Sequence, residues 1–178
     1  MRPLFTGADL RSFGFHWGVF GVVALLGSAV LRLSGRIGEL SLYTLSPLQW
    51  GVLLGFGAWM LYAEGIKGFH RNFSPRVVAR ASYLRENTHP LLSLLAPLFC
   101  MGFIHATRKR QITSVVITSV IVLMVMAVRL LPQPWRGIVD CGVVAGLVTG
   151  IASVLWFWAR ALFTRQAPAI PLDLPSAT

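Results

Sequence analysis

The sequence is short of acids and nearly empty of lysine. Asp and Glu together number six, and Lys67 and Lys109 are the only lysines among sixteen basic residues in 178. Charged residues are 12% of the chain, against ~25% in soluble domains. So little charge cannot clothe a water-soluble globular body, and a 55% hydrophobic composition excludes a disordered chain. Two cysteines cannot build a disulfide framework. Cys100 and Cys141 fall in separate apolar stretches, outside any CxxC, and read as small buried hydrophobes. There is no GxxxxGK[ST], HExxH or GxSxG and no paired-carboxylate motif. Nucleotide hydrolysis, zinc proteolysis and serine-triad chemistry therefore lack their residues, and no cofactor or metal is implied.

What the chain does have is long apolar runs, at a mean hydropathy of +0.68 and a formal net charge of +10. Together these describe an all-α, polytopic integral membrane protein. One membrane-embedded domain is expected over residues 1–163, with a flexible tail over 164–178 that carries Pro168, Pro171 and Pro175. Four runs are long enough to span at ~20 residues each: about 13–31, 46–63, 112–131 and 138–158. The first follows Arg2 and Arg11 and contains the small pair Gly27 and Ala29, as a signal peptide would, but it is expected to remain as an uncleaved span. The second opens on Ser46-Pro47, a cap followed by a proline suited to the first helical turn.

Two further stretches are less regular. Residues 90–106 are apolar but number only 17, with Pro97 at the middle, so they form either a short fifth span or a re-entrant segment. Residues 64–89 are polar. Within them Ser74-Pro75 signals a helix start; Val77, Ala81 and Leu84 fall on one face and Arg76, Arg80 and Tyr83 on another. A basic amphipathic helix over 75–86, lying in the interface at headgroup level, is the expectation.

Charge counting chooses between the two topologies. With five spans, Lys and Arg divide nine to seven between the two sides. If 90–106 dips in and returns, one side holds twelve: two before the first span, five in 64–89, three in 108–110 and two near the C-terminus. The other keeps Arg32, Arg36, Arg129 and Arg136. The positive-inside rule favours the second arrangement, with four spans, both termini cytoplasmic and a bacterial inner membrane as the setting. The re-entrant segment must then be shielded by the other helices, because its freed backbone groups need partners.

Lys67, Arg71, Arg76, Arg80, Arg108, Lys109 and Arg110 would meet at one level in that arrangement, as candidates for acidic lipid headgroups or phosphate. The bias to arginine suits bidentate phosphate recognition. Small residues recur every four positions: Gly14 and Gly18, Gly51 and Gly55, and Gly142, Gly146 and Gly150. That spacing lets helices approach closely, within the chain or against a protein partner or second copy. His16 and His105 lie in apolar segments near the same end and are weak candidates for a haem pair; a hydrogen-bonded helix-end histidine is the plainer role. His70 and His89 are polar-segment residues. On the opposite side Arg136 and Asp140 are spaced to pair at the membrane border.

The composition points to a non-catalytic scaffold or complex subunit whose basic cytoplasmic face holds acidic lipid or a partner, and not nucleic acid. A transporter or channel subunit using residues 90–106 is the alternative. A lipid-active or haem- or quinone-dependent redox enzyme is the further one.

Overall fold

A computed structural model describes residues 7–87, 90–164 and 166–175, with side chains from residue 12. Arg2, His89, Arg165 and the Arg11 side chain lie outside that set. The described chain is all-α: α1 (Gly7–Leu40), α2 (Pro47–Met60), a π-helical segment (Leu61–Phe73), α3 (Ser74–Glu86), α4 (Pro90–Leu94), α5 (Ala96–Cys100), α6 (Arg108–Val128) and α7 (Trp135–Thr164). Three helical stretches are long and apolar enough to cross a membrane: Ser12–Leu40, Arg108–Val128 and Trp135–Thr164.

α1 and α7 pack antiparallel. Gly137 sits against Leu40 at one end, and the Trp158 indole donates to His16 at the other. α2 and the π segment run alongside α7 in the same direction, with Phe56 on Gly142, Phe69 on Gly150 and His70 on Ser153. The bundle therefore has two distinct ends. Leu40, Gln133 and Gly137 mark one, where Gln133 donates to Glu39 and to the Arg36 carbonyl. His16, Leu84, Ser93 and Trp158 mark the other.

Residues 47–86 form one unbroken helical rod, where the sequence suggested a span, a polar stretch and a separate helix. Its start is the expected one: the Ser46 hydroxyl accepts from the Gln49 N–H and the Gln49 side chain accepts from the Ser46 N–H. No proline interrupts the chain again until Pro75. The N–H of Ser74 bonds back to the Phe69 carbonyl, the five-residue step of a π-helix. Pro75 has no N–H to continue that pattern, and α-helix resumes there.

α3 also differs from the interfacial helix expected over 75–86. Val77, Ala81 and Leu84 are buried as the spacing predicts, but so are Val78, Ala79 and Arg80. α1, α5 and α7 cover it, and it belongs to the central core with Phe15, Val19, Val22, Phe99 and Val154.

Residues 90–106 do not form one helix. α4 breaks at Leu95, which leaves helical geometry (φ −91°, ψ 21°), and α5 restarts with Pro97 in its first turn. The eleven residues of Pro90–Cys100 rise only ~16 Å, about half a hydrocarbon core. Gly102, in the left-handed region at φ 83°, then turns the chain back. The segment packs on the small-residue face of α1: Ser93 against Gly14, Cys100 against Gly18 and Pro97 against Gly21.

α6 is apolar and exposed on all sides over most of its length, its Ser114 hydroxyl donating to the Met101 carbonyl near its start. At ~31 Å it matches a bilayer core, which is the setting such a helix requires. Residues 166–175, expected as part of a flexible tail, fold back on the bundle. Leu174 packs against the core, and the Asp173 carbonyl accepts from the Thr107 N–H at 2.8 Å.

Candidate functional site

Arg80 is the most thoroughly held charge in the protein. It is 3% exposed. Its Nε donates to the Phe99 carbonyl at 2.6 Å, and Nη2 to the carbonyls of Ile104 and His105 at 3.1 and 3.0 Å. Nη1 donates to the Leu172 carbonyl. The guanidinium also lies 4.2 Å from the centre of the Phe99 ring. These carbonyls come from the end of α5, the returning loop and the folded-back tail; the Phe99 carbonyl also accepts from the Gly102 N–H, whereas Arg80 is the donor recorded for those of Ile104, His105 and Leu172. Burial pulls the Arg80 pKa below the ordinary arginine value. Arg80 is thus a structural clamp and not a headgroup ligand, which corrects its place among the phosphate candidates.

The remaining candidates separate. Arg76 and Asp173 are charged neighbours of Arg110, which is half-buried. Arg108 and Lys109 are exposed at the start of α6. Lys67 sits 4.9 Å over the Tyr62 ring. Arg71 instead enters a cleft of about 540 Å³ between the end of the π segment, the start of α3, the last turns of α7 and the folded-back tail. His70, Arg160, Thr164 and Gln166 supply the rest of its polar lining, and Phe157 and Ile170 part of its apolar wall.

No carboxylate among the described residues lines this cleft. Among the described residues, neither the Arg71 nor the Arg160 guanidinium has an ion-pair or hydrogen-bond partner; the ion pairs there are Arg36–Glu39 at 3.0 Å and Arg136–Asp140 at 3.9 Å. His70 Nδ1 meets the Ser153 hydroxyl at 2.9 Å, which leaves Nε2 for a ligand. When the hydroxyl donates, Nε2 carries the proton and is itself a donor. Arg160, His70 and Ser153 are additions to the residues singled out from sequence. Arg160 counted there only towards topology, and nothing local links it to Arg71.

The π segment also carries charge beside the middle of α7. Gly65 packs on Thr149, near the midpoint of α7, so the adjacent Glu64 and Lys67 lie at about half depth. Both are exposed on the outside. A charged side chain at a bilayer centre costs about 2.5–3.5 kcal/mol, so such residues face water or a polar partner. Glu64 thus stands beside the middle of α7 and not at a helix end.

The glycine pattern holds in part. A Cβ on Gly142 would stand 2.7 Å from the Phe56 ring, on Gly150 2.6 Å from Phe69, and on Gly146 3.2 Å from the Glu64 Cβ. Gly14 and Gly18 are similarly closed, by Ser93 and Cys100. Gly51 and Gly55 face open space, so they make no close packing within the described chain. The two candidate haem histidines have separate surroundings. His16 accepts from Trp158 and stacks near Phe20, whereas His105 adopts φ 47° beside Phe99. No group of three or more potential metal ligands occurs among the described residues. No protein-family model, curated protein or solved structure matches the chain.

Proposed function

We propose that this protein is a non-catalytic integral membrane component of four passes, whose arginine-rich end faces the cytoplasm and holds acidic lipid. The passes are α1, α2 with the π segment, α6 and α7, and residues 90–106 are re-entrant. One observation carries the reading. The end that gathers His16, Trp158 and the return of 90–106 also gathers Arg76, Arg85, Arg108, Lys109, Arg110 and Arg160, while Arg36 and Arg136 stand with Leu40 and Gln133 at the other. Lys and Arg near an acidic leaflet each contribute about 1 kcal/mol of attraction. A bacterial cytoplasmic membrane, with both termini inside, is the setting this polarity suits.

Alkaline phosphatase fusions test the orientation. A fusion after Thr107 should be inactive and one after Leu131 active; activity after Thr107 restores five spans. Native mass spectrometry tests the lipid: the purified chain should retain phosphatidylglycerol in preference to phosphatidylcholine. Equal retention of the two removes the lipid-holding role.

A transporter or channel subunit is the second reading. The half-depth charges Glu64 and Lys67 favour it, because they supply a polar lining where lipid alone is disfavoured.

A further inference from the structure

We propose that the cleft between the π segment, the C-terminal turns of α7 and the folded-back tail is a binding site for one phosphate oxyanion group. It is gripped by Arg71 and Arg160, with His70 as third donor. The inference deepens the lipid-holding role above and rests on it for the identity of the ligand, though not for the anion chemistry. Among the described residues, two guanidiniums without counterions share one cleft, and no acid lines it. Such a pair repels itself until an anion with several acceptor oxygens bridges it, which phosphate does bidentately to each arginine. The Ser153–His70 contact holds the imidazole at the rim, and Thr164 and Gln166 offer further polar groups.

The surroundings favour a phosphate that carries an apolar body. Phe157 and Ile170 form an apolar wall directly beside the cationic groups. The cleft lies at the last turns of α7, where the helix leaves its apolar run. In the four-pass arrangement that is headgroup depth, so a phospholipid can place its phosphate on the arginines and its glycerol end against the wall. A free phosphate would use the same three donors without the wall.

The test uses the full chain in detergent and in nanodiscs, with three forms. In Arg71→Gln/Arg160→Gln the cleft loses its charge; in Arg108→Gln/Lys109→Gln the same end loses equal charge outside the cleft; wild type is the reference. Both cleft arginines are exposed, and circular dichroism checks that each form is helical. If the double cleft variant is misfolded, Arg160→Gln alone is read. Phosphatidylglycerol retention by native mass spectrometry should fall at least tenfold in the cleft variant and less than threefold in the control. Inorganic phosphate is titrated calorimetrically into delipidated protein. Heat that vanishes in the cleft variant, without any lipid preference in wild type, identifies free phosphate as the source and upholds the site. Equal losses in both variants overturn the cleft while leaving a diffuse basic end. Absence of both lipid preference and phosphate heat in wild type overturns the cleft and the lipid-holding role together.

Discussion

The guanidinium of Arg80 donates to the carbonyl of Phe99 at 2.6 Å while its central carbon lies 4.2 Å over the ring of the same residue. One side chain therefore ends α5, fixes the returning loop and receives the tail. An arginine can do this because its donors are spread in a rigid fork. Replacing it with methionine keeps the apolar stem but takes the donor from the part-buried carbonyls of Ile104, His105 and Leu172, at a cost of up to about 1–3 kcal/mol each, while the Phe99 carbonyl keeps the Gly102 N–H. Arg80→Met should lower the thermal midpoint by more than any other single substitution of a basic residue in the chain. Arg80→Lys should recover only part of the loss. A midpoint unchanged in Arg80→Met would mean that water satisfies these carbonyls.

Removal of the tail attacks the same knot from the other side. A chain ending at Thr164 loses the Leu172 carbonyl from Arg80, the Asp173 carbonyl from Thr107 and the Leu174 contact with the core. Hydrogen exchange at residues 101–107 should then accelerate at least tenfold, whereas exchange in the middle of α7 should not change. Equal protection of 101–107 in the two forms would show that the tail contributes nothing to the loop.

Glycine positions separate closed from open helix faces. Gly142→Ala and Gly150→Ala force a methyl group into aromatic rings and should destabilise by about 1–3 kcal/mol each. Gly51→Ala and Gly55→Ala meet nothing and should be neutral or stabilising by up to about 1 kcal/mol, through helix propensity. Chemical denaturation in mixed micelles measures both pairs. A reversed order would place the close helix contact on α2's outer face.

The half-depth charges predict water. Glu64→Cys, introduced with Cys100 and Cys141 replaced by Ala, should react with a membrane-impermeant maleimide added from the cytoplasmic side. A cysteine at Val122, in the exposed apolar middle of α6, should not react. Labelling at Val122 but not at position 64 would exchange the lipid-facing and polar-facing sides of the bundle.

Much of this was legible before any coordinates. The Ser46 cap before Pro47, the helix start at Ser74-Pro75 and the buried spacing of Val77, Ala81 and Leu84 are local patterns, and local patterns are what short-range sterics and hydrogen bonding decide. For residues 90–106 the sequence marked the place, since Pro97 kinks or breaks a helix, but left a short fifth span and a re-entrant segment both open. The continuous rod over 47–86 was not legible, because charged residues in 64–71 look like a loop unless a neighbouring helix offers a face to pack on. α7 offers one in Gly146, Thr149 and Gly150.

The sequence by itself determined that this chain is helical and carries runs apolar enough to cross a membrane. Those follow from composition and spacing, which act residue by residue. Only the tertiary structure decided what each arginine does. Arg80 turns inward because α5, the returning loop and the tail bring carbonyls to it, and Arg71 shares a cleft with Arg160 because the π segment packs along α7. Partners so far apart in the chain are joined by packing, and no local pattern records that.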